Sequence, residues 1–401
     1  MNRTTTYRRR FSDSILWFSA LLMSGATTGC VTENGDCPDN KDSDDISVSL
    51  RIEGGLPSAT RADFTEEEGT LAESYINIED LYVLAFEIGE GKEVADGESV
   101  LKDIIWSPTE SERLKESVIS SNGTEVYLQT FLSSENYNTT TPFAIVTIAN
   151  TKNWSTTGFT LNKGVTKLGD LQKILNYPDV DSWAPDNAVQ SGIPLFGIHK
   201  ASLGGYNDKF NNSSNPYDLG DIWMLRALAK IELRTSADSQ LEIESAAISA
   251  NGWNNNLQLI PLLNRMEGYN ASGNTGQVVD APNFSGDFKP TPSTTALNMK
   301  PTGGAFVAYL PEYQLVGTDG TEHNNIIQVK VKTINGNELL TTDYSIPVKP
   351  YDGSPANEAH WNYLLRNYVY SFQITGVHQN QTLTWTVCPR AEYTSDIPTF
   401  E

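Results

Sequence analysis

The chain has 401 residues, 38% of them hydrophobic, and a formal net charge of −22 at pH 7. An acidic chain lacks the basic face that a phosphate backbone requires, so we predict no nucleic-acid partner. Three cysteines are too few and too widely spaced for a disulfide framework. The sequence does not decide whether Cys37 pairs with Cys388. The length suggests two domains.

The first 29 residues have the pattern of a signal peptide. Three arginines at positions 8–10 precede an apolar run at Ile15–Met23 that is too short to span a membrane. Small residues then lead to Cys30, and this ending resembles a bacterial lipoprotein signal. We therefore expect Cys30 to carry lipid (palmitate) and to begin the mature chain. Residues 30–45 would follow as an acidic tether.

A strand with alternating aliphatic residues comes next. The aliphatic residues alternate with the polar residues Ser47, Ser49 and Arg51. This alternation predicts a half-buried, edge-like strand. Gly54 and its neighbours end the strand, and Arg61 follows in a stretch with the composition of a loop. The alternating aliphatic residues are Ile46, Val48, Leu50 and Ile52.

Further apolar segments recur along the chain. Two continuous runs, Leu81–Ile88 and Phe143–Ala149, predict strands that are buried on both faces. Apolar residues spaced by three and four predict one short helix over Val165–Leu175. The Asn335-Gly336 pair predicts a hairpin. The remaining predicted strands are 125–132, 228–233, 241–248, 305–310, 326–334, 339–344, 368–374 and 383–387. Many short strands separated by turn residues indicate an all-β fold of β-sandwiches with few short helices.

The sequence contains no recognisable catalytic motif. Its four histidines are scattered, and the patterns of zinc proteases, serine-hydrolase elbows and phosphate-binding loops are missing. We therefore predict no enzymatic activity, no cofactor and no metal. Trp223, Trp253 and Trp361 could stack on sugar rings, so a surface glycan-binding lipoprotein is a competing hypothesis, and an outer-membrane hydrolase is a third.

Five segments, taken in order and spacing, resemble those of the fimbrillin family, the pilin subunits of type V pili in Gram-negative anaerobes. The resemblance implies two tandem transthyretin-like β-sandwich domains, which we place at residues 46–222 and 223–401. The segments are the lipoprotein Cys30, the Ser47–Ile52 strand with its glycine-rich turn and Arg61, the Leu81–Phe86 strand, Arg226–Leu233, and Arg366–Gly376.

The resemblance also implies an assembly mechanism. An Arg-specific surface protease would cut between Arg61 and Ala62, and loss of the first strand would open an apolar groove. A strand from the C-terminal region of another pilin subunit would fill that groove. The matching donor residues here are Leu383, Trp385 and Val387, extended by Ile397 and Phe400. The alternative for this segment is a permanent strand of the second domain's own sheet.

The same resemblance implies where the protein is located in the cell envelope, but it does not decide which role the protein has in the pilus. The precursor would be lipid-anchored in the outer membrane before it is processed, and the mature subunit would lie in an extracellular fimbrium that supports cell adhesion. Cys37-Pro38 resembles the start of the family's anchor subunits, in which Arg61 would stay uncut. The stalk, tip and anchor roles therefore remain alternatives.

Overall fold

A computed structural model gives the fold of the part of the chain that carries these strands. It describes residues 45–54, 71–90, 92, 95–108, 118–121, 123–134, 136–152, 154, 159–171, 174–176, 192–206, 215–260, 293–311, 313–314, 326–333, 344–347, 363–364, 366, 369–377 and 383–388. These residues belong to one compact unit.

The described residues form an all-β structure, as predicted. Its one α-helix, α1, is a single turn at Leu71–Ser74. The strands in the first half of the chain are β1 (Ile46–Gly54), β2 (Tyr82–Glu87), β3 (Leu101–Trp106), β4 (Val118–Ser121), β5 (Glu125–Leu132), β6 (Phe143–Ala149), β7 (Ile174–Asn176), β8 (Leu195–Ala201) and β9 (Tyr217–Arg226). Those in the second half are β10 (Leu228–Thr235), β11 (Leu241–Ile248), β12 (Asn256–Gln258), β13 (Leu297–Asn298), β14 (Lys300–Thr302), β15 (Ala305–Pro311), β16 (Tyr313–Gln314), β17 (Ile326–Thr333), β18 (Tyr344–Pro347), β19 (Tyr363–Leu364), β20 (Val369–Val377) and β21 (Leu383–Cys388).

Eight strands of the first half make one sheet in the order β3-β2-β6-β8-β9-β1-β5-β4. The second half contributes a five-stranded sheet, β14-β15-β10-β20-β21, and a four-stranded sheet, β13-β11-β17-β18. The short pair β7 and β12 joins a strand from each half. The predicted boundary between residues 222 and 223 falls within β9, and it stays a prediction.

Two apolar clusters hold these sheets together. One lies on one face of the eight-stranded sheet and includes side chains from β1, β2, β5, β6 and β9. The other contains residues from the opposite face of β2, β6 and β8 together with residues of β10, β15, β17 and β20. The two halves therefore share a continuous core.

Most predicted strands are confirmed, and the two apolar runs behave as expected. All seven residues of β6 are buried, as are the first five of β2, because both strands lie inside the sheet with packed layers on each face. β17 pairs antiparallel with β18, as the predicted hairpin requires, but the Asn335-Gly336 turn and the predicted return strand before Tyr344 lie outside the described residues and stay predictions. The alternating segment at 228–233 is β10, as predicted.

Two local predictions are wrong. The segment Val165–Leu175 is not a helix: it contains a turn, a 3₁₀ helix at Leu168–Leu171, and part of β7. Buried leucines three residues apart satisfy a 3₁₀ turn as well as an α-helix, so their spacing did not separate the two. The first strand is neither half-buried nor at an edge, because β1 lies between β9 and β5 and Ser47 and Ser49 are also buried. Serine is small enough to be covered on a face that alternation alone assigns to solvent.

Candidate functional site

The candidate site is β1 together with the two strands that flank it. β1 pairs antiparallel with β5 over Ile46–Glu53 and parallel with β9 over Val48–Gly54. The register with β9 shifts by one residue near Gly220, whose φ of 96° is accessible to glycine at little cost. The backbone of β1 is thus hydrogen-bonded to a neighbour on both sides.

The four aliphatic side chains of β1 pack into the apolar cluster on one face of the eight-stranded sheet. None of them exposes more than 3% of its surface; they are Ile46, Val48, Leu50 and Ile52. Burying one such side chain contributes roughly 1.5–3 kcal/mol, so the four together contribute about 6–12 kcal/mol. This is comparable with the whole net stability of a typical domain, about 5–15 kcal/mol. The first sheet therefore depends on having this position occupied.

The other side of β1 is lined by small side chains. Ser47 is fully buried and stands opposite Phe131 of β5, and Ser49 is 7% exposed and stands opposite Gln129. In a close-packed interior, even one added methylene must displace its neighbours. Both faces of the first half of β1 therefore restrict side-chain size.

The C-terminal end of β1 lies against Ser74 and Ile76, in the segment that follows residues 55–70. The amide of Gly54 donates a hydrogen bond to the carbonyl oxygen of Thr124 at 2.7 Å. A Cβ placed on Gly54 would lie 1.8 Å from the carbonyl oxygen of Ser74 and 3.1 Å from Cγ1 of Ile76. Only glycine fits at this position, because the nearest obstacle is backbone.

Charged groups surround the exposed part of β1. Arg51 donates to Glu125 of β5 and its Nη1 lies 3.0 Å from Oε1 of Glu53. Burial raises the pKa of Glu53 to about 7; the positive charge of Arg51 opposes this rise, and Asp221 and Glu125 add to it. β1 thus carries a carboxyl group that titrates near neutral pH.

We expect β1 to be held more tightly at about pH 5 than at about pH 8. The ordinary pKa of Glu53 is 4.5 and its folded value is about 7, so the folded state binds the proton more strongly. The contribution of Glu53 to the free energy of unfolding is complete below pH 4.5, falls as the pH rises towards 7, and is lost above pH 7. Because Glu53 is partly exposed, we expect about 1–2 kcal/mol from it. Denaturant titrations at both pH values should show this loss in the wild type and not in Glu53→Gln.

The matched control for this measurement is Glu244→Gln, at an exposed position of β11. That variant should keep the wild-type difference between the two pH values. An unchanged pH dependence in Glu53→Gln would contradict the assignment.

A buried ionic cluster fixes α1, which follows residues 55–70. The carboxylate of Glu73 is 2.8 Å from Nζ of Lys230 and accepts a hydrogen bond from the hydroxyl of Tyr309. Nζ of Lys230 also lies 2.8 Å from Oε1 of Glu232. Burial alone would lower the pKa of Lys230, but Glu73 and Glu232 outweigh it and the pKa is raised. The ammonium group therefore holds two buried carboxylates together.

Arg226, the last residue of β9, completes this attachment. Its Nε donates to the carbonyl oxygen of Glu73 at 2.8 Å and its Nη2 donates to Oγ of Ser74 at 2.6 Å. α1 is consequently fastened to β9, β10 and β15, where the two halves of the chain meet. No sequence pattern indicated this attachment, since residues 64–74 are acidic and show no core pattern.

The other predicted site residues are placed only in part. Cys30, Cys37, Arg61 and Ala62 lie outside the described residues, as do Ile397 and Phe400. The predicted donor residues Leu383, Trp385 and Val387 belong to β21, which pairs with β20 and, among the described strands, forms an edge of its sheet. Cys388 ends the same strand. Their roles in processing, donation and pairing stay predictions.

The glycan-stacking hypothesis loses one of its three residues. Trp253 is 1% exposed and its Nε1 donates to the carbonyl oxygen of Thr295 at 2.9 Å, so its ring has no free face for a sugar. Trp223 is half-buried in β9, and Trp361 lies outside the described residues. The tryptophan pattern in the sequence did not distinguish a core ring from a surface one.

The described residues contain no group of three or more histidine, cysteine, aspartate or glutamate side chains placed to hold a metal ion. None of their helices has the length and apolarity that crossing a membrane demands.

Comparisons with known proteins found similarity only at the level of structure. No protein-family model and no curated protein matches the sequence. The tip fimbrial protein Mfa3 from Porphyromonas gingivalis, with a C-terminal truncation, is similar at a TM-score of 0.46 and 12% identity, over 85% of this chain and 99% of that one. A fimbrial assembly protein from Parabacteroides distasonis is similar at a TM-score of 0.42 and 12% identity, over 86% of this chain and 100% of that one.

Proposed function

We propose that this protein is a structural subunit of a cell-surface pilus that assembles by exchange of its first strand. In this proposal the chain is exported as a lipoprotein through Cys30 and is cut after Arg61. β1 then leaves, and a strand from another subunit takes its place. The precursor lies in the outer membrane and the processed subunit in an extracellular fimbrium that supports adhesion.

The observation that carries this proposal is the interior position of β1. Removing an edge strand exposes one row of backbone groups, whereas removing β1 would expose a row on β9 and another on β5. Unpaired backbone groups and an apolar groove are both costly in water. An incoming strand that pairs with both neighbours and buries its alternate side chains restores what was lost, which is β-augmentation.

The basic residues around β1 favour Arg61 as the cut site. Arg61 is the only lysine or arginine between Arg51 and Lys92 in the sequence. Arg51 lies within a strand whose backbone is paired on both sides, and a protease needs an extended, unpaired backbone at the bond it cuts. An Arg-specific protease would therefore separate β1 from the rest of the chain at one bond.

The ionic cluster around Glu73 supports the same proposal. After a cut at Arg61, the new N-terminal segment would still be attached through α1 to Lys230, Tyr309 and Arg226. It would keep Ser74 and Ile76 at the far end of the groove and would not follow β1 out of it. The processed subunit would thus keep a groove of defined length.

Limited proteolysis of the precursor tests this function. We expect an Arg-specific protease, added to the folded chain lacking residues 1–29, to produce one new N-terminus at Ala62. The cut chain should then exchange β1 for an added, labelled peptide of the same sequence, Asp45–Gly54. The Arg61→Ala variant should do neither, and the matched control Arg51→Ala should do both.

Two results would overturn this function. A precursor that resists the protease at Arg61 would indicate an anchor subunit that keeps its lipid. A chain that is cut at Arg61 but never exchanges its strand would remove the mechanism and favour a monomeric surface lipoprotein.

A further inference from the structure

The groove that β1 occupies has a shape that restricts which strands can replace it. This inference rests on the proposed function, since the groove opens only when β1 leaves. Its inner face accepts four aliphatic side chains, at positions 46, 48, 50 and 52, each at most 3% exposed. That requirement is weak, because alternating aliphatic residues are common in β-strands.

The opposite face of the groove adds a second restriction. Position 47 is fully buried beside Phe131, and position 49 is nearly so. A replacement strand therefore needs residues about the size of serine at these two positions, since larger side chains would overpack a closed site. Positions 51 and 53 are open by comparison and accept long polar side chains, as Arg51 and Glu53 show.

The end of the groove adds the sharpest restriction. Any residue with a Cβ at position 54 would meet the carbonyl oxygen of Ser74 at 1.8 Å. The neighbouring carbonyl oxygen of Thr124 also needs an amide donor at position 54. Since α1 is fixed by Glu73 and Arg226, the obstacle cannot easily withdraw. A strand that fills the whole groove in the direction of β1 must place glycine there.

Within this chain, only β1 itself satisfies these conditions. No other glycine in the sequence has isoleucine, leucine or valine at all four positions two, four, six and eight residues before it. The C-terminal segment fails in two registers: with Leu383 at position 46, Pro389 falls at position 52, and with Leu383 at position 48, Pro389 falls at position 54. Proline has no amide proton for the ladder.

We propose that the groove receives a strand from a different protein and not from a second copy of this chain. The partner strand runs in the direction of β1, carries aliphatic residues at the four inner positions and serine-sized residues at positions 47 and 49, and has glycine at position 54. The subunit joins unlike neighbours and does not form a filament of itself.

Uptake of labelled peptides by the full mature chain, cut at Arg61, tests this proposal. Fluorescence anisotropy would follow five peptides: Asp45–Gly54, its Gly54→Ala, Ser47→Leu and Asp45→Ala variants, and Thr382–Pro389 from β21. We expect uptake of the first peptide, and of Asp45→Ala within about threefold, since Asp45 precedes the paired strand β1. Gly54→Ala and Ser47→Leu should bind at least about tenfold more weakly, because each overpacks the groove. Thr382–Pro389 should not enter.

The possible failures are distinguishable. Equal uptake of all five peptides, or entry of Thr382–Pro389, would overturn the proposed selectivity and leave strand exchange standing. Failure of the cut chain to take up Asp45–Gly54 would overturn strand exchange and this inference with it. The uncut Arg61→Ala chain, which keeps β1 tethered, should take up none of the peptides.

Discussion

Replacing Leu50 with alanine is expected to lower the free energy of unfolding by about 2–5 kcal/mol, as for other fully buried leucines. Leu50 is 1% exposed and belongs to the cluster that joins β1 to β2, β5, β6 and β9. Its truncation removes buried methyl groups and leaves a cavity between strands that cannot easily collapse. Denaturant titration of the mature chain would measure the loss.

Val165→Ala is the matched control for this measurement, because Val165 is 69% exposed. Its free energy of unfolding should stay within about 0.5 kcal/mol of the wild type. A loss below about 1 kcal/mol for Leu50→Ala would mean that the interior of the first sheet does not depend on β1. The proposed assembly mechanism would then lose its physical basis.

Lys230→Met is expected to cost about 3–5 kcal/mol at neutral pH, because it removes the ammonium group that lies between two buried carboxylates. Glu232 keeps Arg234, whose Nη2 lies 3.3 Å from its Oε2, so the larger part of the loss should come from Glu73. Nζ of Lys230 lies 2.8 Å from both Glu73 and Glu232, which are 3% and 2% exposed. The substitution keeps most of the side-chain volume, so the loss reports on charge more than on packing.

The matched control is Lys332→Met, which breaks the exposed pair between Lys332 and Glu242, 3.5 Å apart. Surface ion pairs of this kind contribute about 0–1 kcal/mol, so thermal and denaturant unfolding should change little. If Lys230→Met were no more damaging than Lys332→Met, the cluster would not be what fastens α1. In the double variant Lys230→Met with Glu73→Leu, part of the loss should be recovered, because one unpaired charge is removed.

Local sequence patterns were sufficient to predict most of the strands. The alternation in β1 and the continuous apolar runs in β2 and β6 correspond directly to their burial, because side-chain direction repeats every second residue in a strand. The neighbours of β1 could not be predicted in this way. Its parallel pairing with β9 joins residues about 170 positions apart, and no local pattern records which distant strand supplies the ladder.

The parts of the site that restrict the groove were hidden for a similar reason. Gly54 is an ordinary strand terminator in the sequence, and only the approach of Ser74 shows why no other residue fits. Glu73 stands in an acidic stretch with the composition of a solvated loop, and its partner Tyr309 is 236 residues away. The residue type does not show whether a carboxylate is buried or exposed, so only the fold distinguishes the two cases.

The place of β1 in the sheet also determines when the sheet can be completed during folding. β1 precedes the other described strands in the chain, yet its neighbours β5 and β9 come about 80 and 170 residues later. Closing such long loops costs conformational entropy before any contact repays it. Pairs closer in sequence, such as β8 with β9 and β4 with β5, can form before β1 is enclosed. We therefore expect β1 to be among the last of the described strands to be fixed, after a state in which the position between β5 and β9 is still unfilled.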